Sequence, residues 1–512
     1  MDSLRSLFTT IALLLLPLSH AQGAPPLERG TAILDPSALK ELDRGPFGLA
    51  RMLSPSSDGQ LTDSALFALP SMASIRTSLD AEFDRYVARH KSELPNETIG
   101  VGQQFDFQLF DRDQLYSSAT RFVLSGVVNR MDRAFVASES CGEIRLIYRL
   151  TQIDAPPVGD HGASARLPMT LNLILKAKAD GSTATTCAAI ARRWLDSANW
   201  PLTGTALAER LTSGNGPLAL IGPDNVARIE TNIQIVHVTQ SPAREFRTDY
   251  LLKVFDYDRQ AKVFEEATLE DQIDRERLLA DEKLRRDFKA WLLDPKHLAE
   301  FDRGTVLIPK EFLATRAIAP TPIGFSPSAS LPAFGLVEGE SENPIFSKDD
   351  VVTALQKAAA RGITMQNIRS VAGFGRRLND ITCAGCHQTR GIGGFHFPGV
   401  DWMAEHPSNT TIVPASPHFF GDQVRRRDIL AEFRDGKDVD YSRGFSERPQ
   451  LRGSGELAGT EYDDGWGAHC YSLRSKATEN DPTFASWGCA KGLSCQVMSE
   501  TSRMGMCFVG KR

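Results

Sequence analysis

At 512 residues the chain is longer than one hydrophobic core usually organises, so two or three domains are expected at roughly 100–200 residues each. Its 41% hydrophobic and 24% charged residues are ordinary for a globular protein. A formal net charge of -6 excludes the basic footprint of a nucleic-acid binder, and no polyanion partner is expected.

Residues 1–21 have the anatomy of a secretory signal peptide: Arg5, an apolar run from Leu7 to Leu18, then the small-residue site Ser19-His20-Ala21. The run is too short for a bilayer, which needs roughly 20 apolar residues. Cleavage after Ala21 would leave a periplasmic or secreted chain with no transmembrane segment. An uncleaved N-terminal anchor is the alternative, and no stop-transfer pattern supports it.

Residues 22–105 read as an irregular and helical segment. Pro and Gly break the stretch from Gln22 to Pro70, whereas Ile75, Leu79, Phe83 and Val87 recur at helical spacing between Ser71 and Leu94. Residues 106–318 read as a β-rich domain. Ile144, Leu146, Tyr148 and Leu150 alternate with Arg145, Ile147 and Arg149, and Leu171, Leu173, Leu175 and Ala177 alternate with Asn172, Ile174, Lys176 and Lys178, the period of strands. Phe122–Val128, Ile229–Val238 and Tyr250–Tyr257 add β-branched and aromatic runs, so a sheet of five or more strands is expected, with a helix at Cys187 to Trp194. Leu269, Ile273, Leu284, Phe288 and Leu292 predict one long amphipathic helix over Thr268–Leu293, ending at Asp294-Pro295.

Pro, Gly and Ser dominate Ala319 to Pro344, and residues 319–346 are read as a linker. Ser347 is a candidate cap for a helix carrying Val352, Leu355 and Ala359 that Gly362 ends, and Thr364 for a second carrying Met365, Ile368 and Val371. These helices open a mainly helical and loop-rich domain over 347–440. Residues 441–512 form a Cys-rich tail. The whole is α+β.

All eight cysteines, at 141, 187, 383, 386, 470, 489, 495 and 507, follow the signal peptide, and export places them where disulfides persist. Cys141 with Cys187, and two bridges among the four tail cysteines, account for six. Sequence does not choose among the three connectivities of the tail.

Cys383-Ala384-Gly385-Cys386-His387 carries the chemistry. At i, i+3 and i+4 on a helical turn the two thiols and the imidazole share one face. Two thiols so placed can add to the vinyl groups of haem, with the imidazole as proximal iron ligand. This C-x-x-C-H run resembles the attachment run of c-type cytochromes, and the resemblance covers at most Ser347 to Leu430. It implies one covalent haem c held by Cys383 and Cys386, His387 on the iron, one-electron transfer and a redox partner protein. A secreted binding or structural protein in which Cys383–Cys386 is only a disulfide is the alternative. A thioredoxin-like pair would open a helix in a βαβ context, and a zinc site would want a second Cys/His pair.

The candidates for a sixth iron ligand are His418 first, Met403 second, and His396 and His406. His418 stands in Pro417-His418-Phe419-Phe420, ahead of Arg425, Arg426 and Arg427, whose guanidiniums could pair with propionates. A vacant sixth position would favour ligand binding or peroxide chemistry. Asp132, Glu139, Glu143 and His161 lack the spacing of a hydrolytic pair or metal site, and His237 reads as a core histidine.

Overall fold

The computed structural model describes residues 28–57, 60–155, 162, 164–183, 185–238, 247–322, 335–389, 398–406, 419, 422–445, 469–476, 480–489, 492–497 and 500–510. The expected signal peptide lies outside them. Among the described residues, no helix is long and apolar enough to cross a membrane.

The N-terminal stretch is more regular than its prolines and glycines suggest. After β1 (Ala32–Ile33) come three helices: α1 (Pro36–Arg44), α2 (Leu49–Leu53) and α3 (Asp63–Leu66). Pro36 starts α1 rather than breaking it. The missing N–H of Pro costs nothing in a first turn, and the Asp35 carboxylate accepts from Ala38 N–H at 2.7 Å. The helix expected at Ser71–Leu94 is α4 (Ala73–Glu93).

All five expected strands form. After the short β2 (Ile99–Gly100) and β3 (Phe107–Leu109) come β4 (Thr120–Arg130), β5 (Glu143–Gln152), β6 (Arg166–Lys176), β7 (Val226–Val238) and β8 (Arg247–Asp258), each antiparallel to the next. Between β6 and β7 lie α5 (Cys187–Ser197), as expected, and α6 (Gly204–Thr212). β9 (Val263–Ala267) and β10 (Arg316–Pro322) share the outer edge of β8, completing a ten-stranded sheet among the described residues. The region expected to be linker therefore begins as a strand. Pro320 and Pro322 are tolerated because β10 is an edge strand.

The sheet buries both faces. One is apolar: Leu124, Leu146, Tyr148, Leu171, Leu173 and Phe255 pack under Leu39, Leu79, Phe83 and Trp194. The other carries the polar half of the alternation, with Arg145, Arg149, Asn172, Glu230 and Asn232 all buried. An antiparallel sheet with this pattern commonly leaves its polar face in water; here later segments cover it. Arg166 on β6 donates to Gly399 O at 2.9 Å, and Cys383 and Ala384 pack on Leu252 and Val254 of β8. Phe419 packs against Val128 and Ile147.

The long amphipathic helix expected over Thr268–Leu293 is instead two, α7 (Arg275–Ala280) and α8 (Glu282–Leu292), with Leu269 and Ile273 in the preceding loop. Aspartates divide it. Asp274 and Asp281 accept from the N–H groups of Arg277 and Leu284, so each starts a helix of its own. Asp294 repeats the device for α9 (Pro295–Arg303). Ser347 caps α10 (Lys348–Ala360) as expected, and Gly362, at φ +76°, takes the left-handed conformation that ends it.

No helix starts at Thr364. The backbone N–H groups of Gln366, Asn367 and Ile368 point instead at the carboxylate of Asp302, and the next helix, α11 (Val371–Ile381), begins after Ser370. Helices on both sides of the supposed linker share one apolar cluster, in which Phe288, Leu292 and Phe301 meet Phe346, Phe374 and Leu378.

The remaining elements are α12 (Cys383–Thr389), α13 (Gln423–Arg434), and a three-stranded tail sheet of β11 (His469–Tyr471), β12 (Leu493–Val497) and β13 (Met504–Val509). The tail is stapled by Cys470–Cys495 and Cys489–Cys507, and the third bridge is Cys141–Cys187. That last bridge spans 46 residues and ties the start of α5 to the β4–β5 turn. Replacing both cysteines with alanine is expected to cost about 4 kcal/mol through loop-closure entropy. Urea unfolding that shows a loss below about 1 kcal/mol would contradict this.

Candidate functional site

α11 leads into the C-x-x-C-H run, but the helix stops at Thr382, whose ψ of 147° is extended. A new helix restarts at once. The Thr382 hydroxyl accepts from Gly385 N–H at 3.2 Å and its carbonyl from Cys386 N–H at 2.8 Å, so Cys383 is the first residue of α12. Helical sequence does precede the pair, and the pair also opens a helix. Gly385 permits the tight corner: a Cβ there would come within 2.6 Å of the Asn379 carbonyl oxygen.

Both cysteines are buried and neither is in a disulfide, whereas the other six are all bridged. Cys383 and Ala384 pack against Leu252 and Val254 of β8, Ala317 and Ala319 of β10, and Leu269. Burial pushes the Cys383 thiol well up, and the neighbouring Cys386, Asp271 and Glu230 add to it. The group is thus a neutral thiol rather than a reactive thiolate. His387 follows in the same helical turn. The two thiols and the following histidine position, the residues that haem attachment would use, thus lie on one short helix.

Cys383 borders a cavity of about 80 Å3 between α12 and the charged face of the sheet. That volume is below the roughly 300–1,000 Å3 of typical ligand pockets and too small for a porphyrin. The fit to haem therefore rests on the donor set and not on this space.

Charged side chains line the cavity in chains of ion pairs. Arg145 reaches Glu143 at 2.8 Å and Glu230 at 3.0 Å, Arg133 bridges Glu143 and Glu270, and Arg130 meets Asp132 at 2.8 Å. Asp271 has φ +60°, a left-handed conformation uncommon for a non-glycine residue. Burial, and then the adjacent Glu270, push its carboxyl well above the usual range, and it borders the same cavity as Cys383.

Burial alone would raise the Glu143 carboxyl, but Arg145, Arg133 and Arg130 outweigh it and hold the group at about 2. A depressed folded value contributes stability that is complete above the unfolded value and disappears as pH falls through the folded one. Glu143→Gln is therefore expected to lower stability at pH 7 and to flatten the loss between pH 4.5 and 2. Unfolding midpoints measured across that range check both, and an unchanged acid limb contradicts the assignment.

The structure gathers only part of the expected site. Cys383, Cys386 and His387 share α12, while His396 and His418 lie outside the described residues. Met403 is half-buried, but it belongs to a segment whose Glu405 N–H donates to Gly162 O, between β5 and β6, at 2.8 Å. The cavity at Cys383 lies at the opposite end of those strands, beside Arg145. His406 is exposed on the same segment. Of Arg425–Arg427, Arg425 and Arg426 join a buried charge cluster.

Asp132 and Glu143, which looked scattered in sequence, prove to belong to this network, together with Arg130, Arg133, Glu230, Glu270 and Asp271. No local sequence signal marks them, since Asp132 adjoins Arg133 and Glu270 adjoins Asp271. His237 lies on β7, half-buried, opposite Thr248. No protein-family model, curated protein or solved structure matches the chain.

Proposed function

We propose that this chain is an exported c-type haem protein that performs one-electron transfer. One haem would be attached through the sulfurs of Cys383 and Cys386, with His387 as proximal iron ligand. The observation that carries the reading is the division of the cysteines: three bridges use six of them, and the two of the C-x-x-C-H run remain thiols on one helical turn. Three disulfides also suit an oxidising compartment, the periplasm or the exterior, which is where c-type attachment takes place.

Bound there, the group would supply an iron that cycles between ferrous and ferric. The chain's own part is to tether and orient it. Gly385 and Thr382 fix the turn, Ala384 N–H donates to the Gln272 side chain at 3.2 Å, and the β8–β10 edge backs the helix. His418 is the proposed sixth ligand, ahead of Met403, and a redox partner protein is the proposed recipient of the electron.

The test is the intact mass of chain exported by a host competent in haem attachment. A gain of one haem, with pigment retained in denaturant, is expected. Colourless protein with residues 383 and 386 bridged would establish the disulfide reading instead. A spectrum of the reduced protein that is unchanged by carbon monoxide would support a six-coordinate iron.

A further inference from the structure

α13 begins with an unusual concentration of positive charge. Arg425 and Arg426 occupy its first turn, the end at which the helix dipole is already positive. Asp422, just before it, makes no side-chain bond to the first-turn N–H groups. Its carboxylate serves Arg425 at 2.8 Å, Arg426 at 2.9 Å and Arg443 at 3.3 Å. Asp132 likewise serves Arg130 and Arg425, each at 2.8 Å. Among the described residues, four guanidiniums thus share two carboxylates.

Arg426 is the least provided for. Its side chain is 2% exposed, its Nε reaches Asp422, and neither of its two Nη atoms has a hydrogen-bond partner. Arg425 Nη1 also lacks one. Desolvation, with Arg130 close by, pushes the Arg426 guanidinium down to about 9, which registers how poorly its charge is matched. Burying a cation without a compensating group is costly enough that proteins rarely do it. Arg130, Asp132 and Arg443, the groups around Arg426, line the cavity that Cys383 borders.

We propose that Arg426, with Arg130 and Arg443, binds an oxyanion at the start of α13. The ligand class is a phosphate, sulfate or carboxylate group, which guanidiniums recognise through paired N–H donors. The cavity of about 80 Å3 that Arg130 and Arg443 line suits a group of that size, and Arg426 stands behind that lining rather than in it. Two sources share this chemistry, a free anion and the carboxylates of an attached haem. Anion binding at this cluster does not depend on haem attachment.

Thermal unfolding of the full exported chain, with potassium sulfate or phosphate compared against chloride at matched ionic strength, tests it. Saturating sulfate or phosphate is expected to raise Tm by about 3 °C or more over chloride. Arg426→Gln should abolish most of that increment. Arg434→Gln, at the far end of the same helix and partly exposed, should keep it. Asp422→Asn removes a competing carboxylate and should enlarge it. If haem carboxylates are the source, the increment appears in the Cys383→Ser/Cys386→Ser chain and is missing from haem-loaded protein; a free anion gives it in both. An increment missing from both forms, surviving Arg426→Gln or shrinking in Asp422→Asn overturns the proposal.

Discussion

Exported Cys383→Ser/Cys386→Ser chain is expected to be colourless, with an intact mass lower than the wild type by one haem beyond the change in side chains. Each single variant retains one sulfur, so it can hold the group by one bond at most and should lose most of its pigment. His387→Ala separates tether from ligand. Its mass should keep the haem, because both thioether sulfurs remain, while its spectrum changes with the loss of the proximal nitrogen. The three outcomes belong together. Wild-type and doubly substituted chains of equal colour would remove the functional reading entirely. Serine is slightly smaller than cysteine and puts a hydroxyl into the apolar surroundings of Cys383, so urea unfolding of the double variant accompanies the mass measurement.

The second large effect is expected at Asp302, a buried residue at the end of α9. Its carboxylate accepts three backbone N–H groups, from Gln366 at 2.7 Å, Asn367 at 2.8 Å and Ile368 at 2.6 Å, and its carbonyl accepts from Arg377 on α11 at 2.6 Å. This one residue shapes the loop that aims α11, and α11 leads directly into the C-x-x-C-H turn. Asp302→Ala strands three donors in or near the core. At about 1–3 kcal/mol for each buried group left unsatisfied, less what water recovers, a loss of about 3 kcal/mol or more is expected in urea unfolding. Asp302→Asn keeps one acceptor oxygen and should lose about half as much. A change below about 1 kcal/mol in the alanine variant would show that the loop holds its shape without the carboxylate.

The sheet was readable because its strands keep a strict period of two, and the side chains that set that period are the ones that pack. Ile144, Leu146, Tyr148 and Leu150 all enter the same core. Errors clustered where a residue has two local roles. Asp281 sits within a run of helical periodicity, yet its carboxylate caps a new helix and splits the run. Pro36 looked like a breaker and is a starter, and Pro320 and Pro322 looked like linker and lie in an edge strand.

The C-x-x-C-H turn was legible because its chemistry is local. The charged cavity was not. Arg130, Arg145, Glu230 and Asp271 are far apart in sequence, and only sheet register and the loop after β9 bring them to one place.

The polar second face of the sheet bears on the order of events during maturation. A sheet that waits with bare hydrocarbon on view invites aggregation, but one displaying Arg145, Arg149, Asn172, Glu230 and Asn232 stays wetted until its cover arrives. The strands can therefore assemble early and tolerate a delay. If haem is attached at Cys383 and Cys386 as proposed, such a pause leaves the two sulfurs open to attachment before later segments cover them.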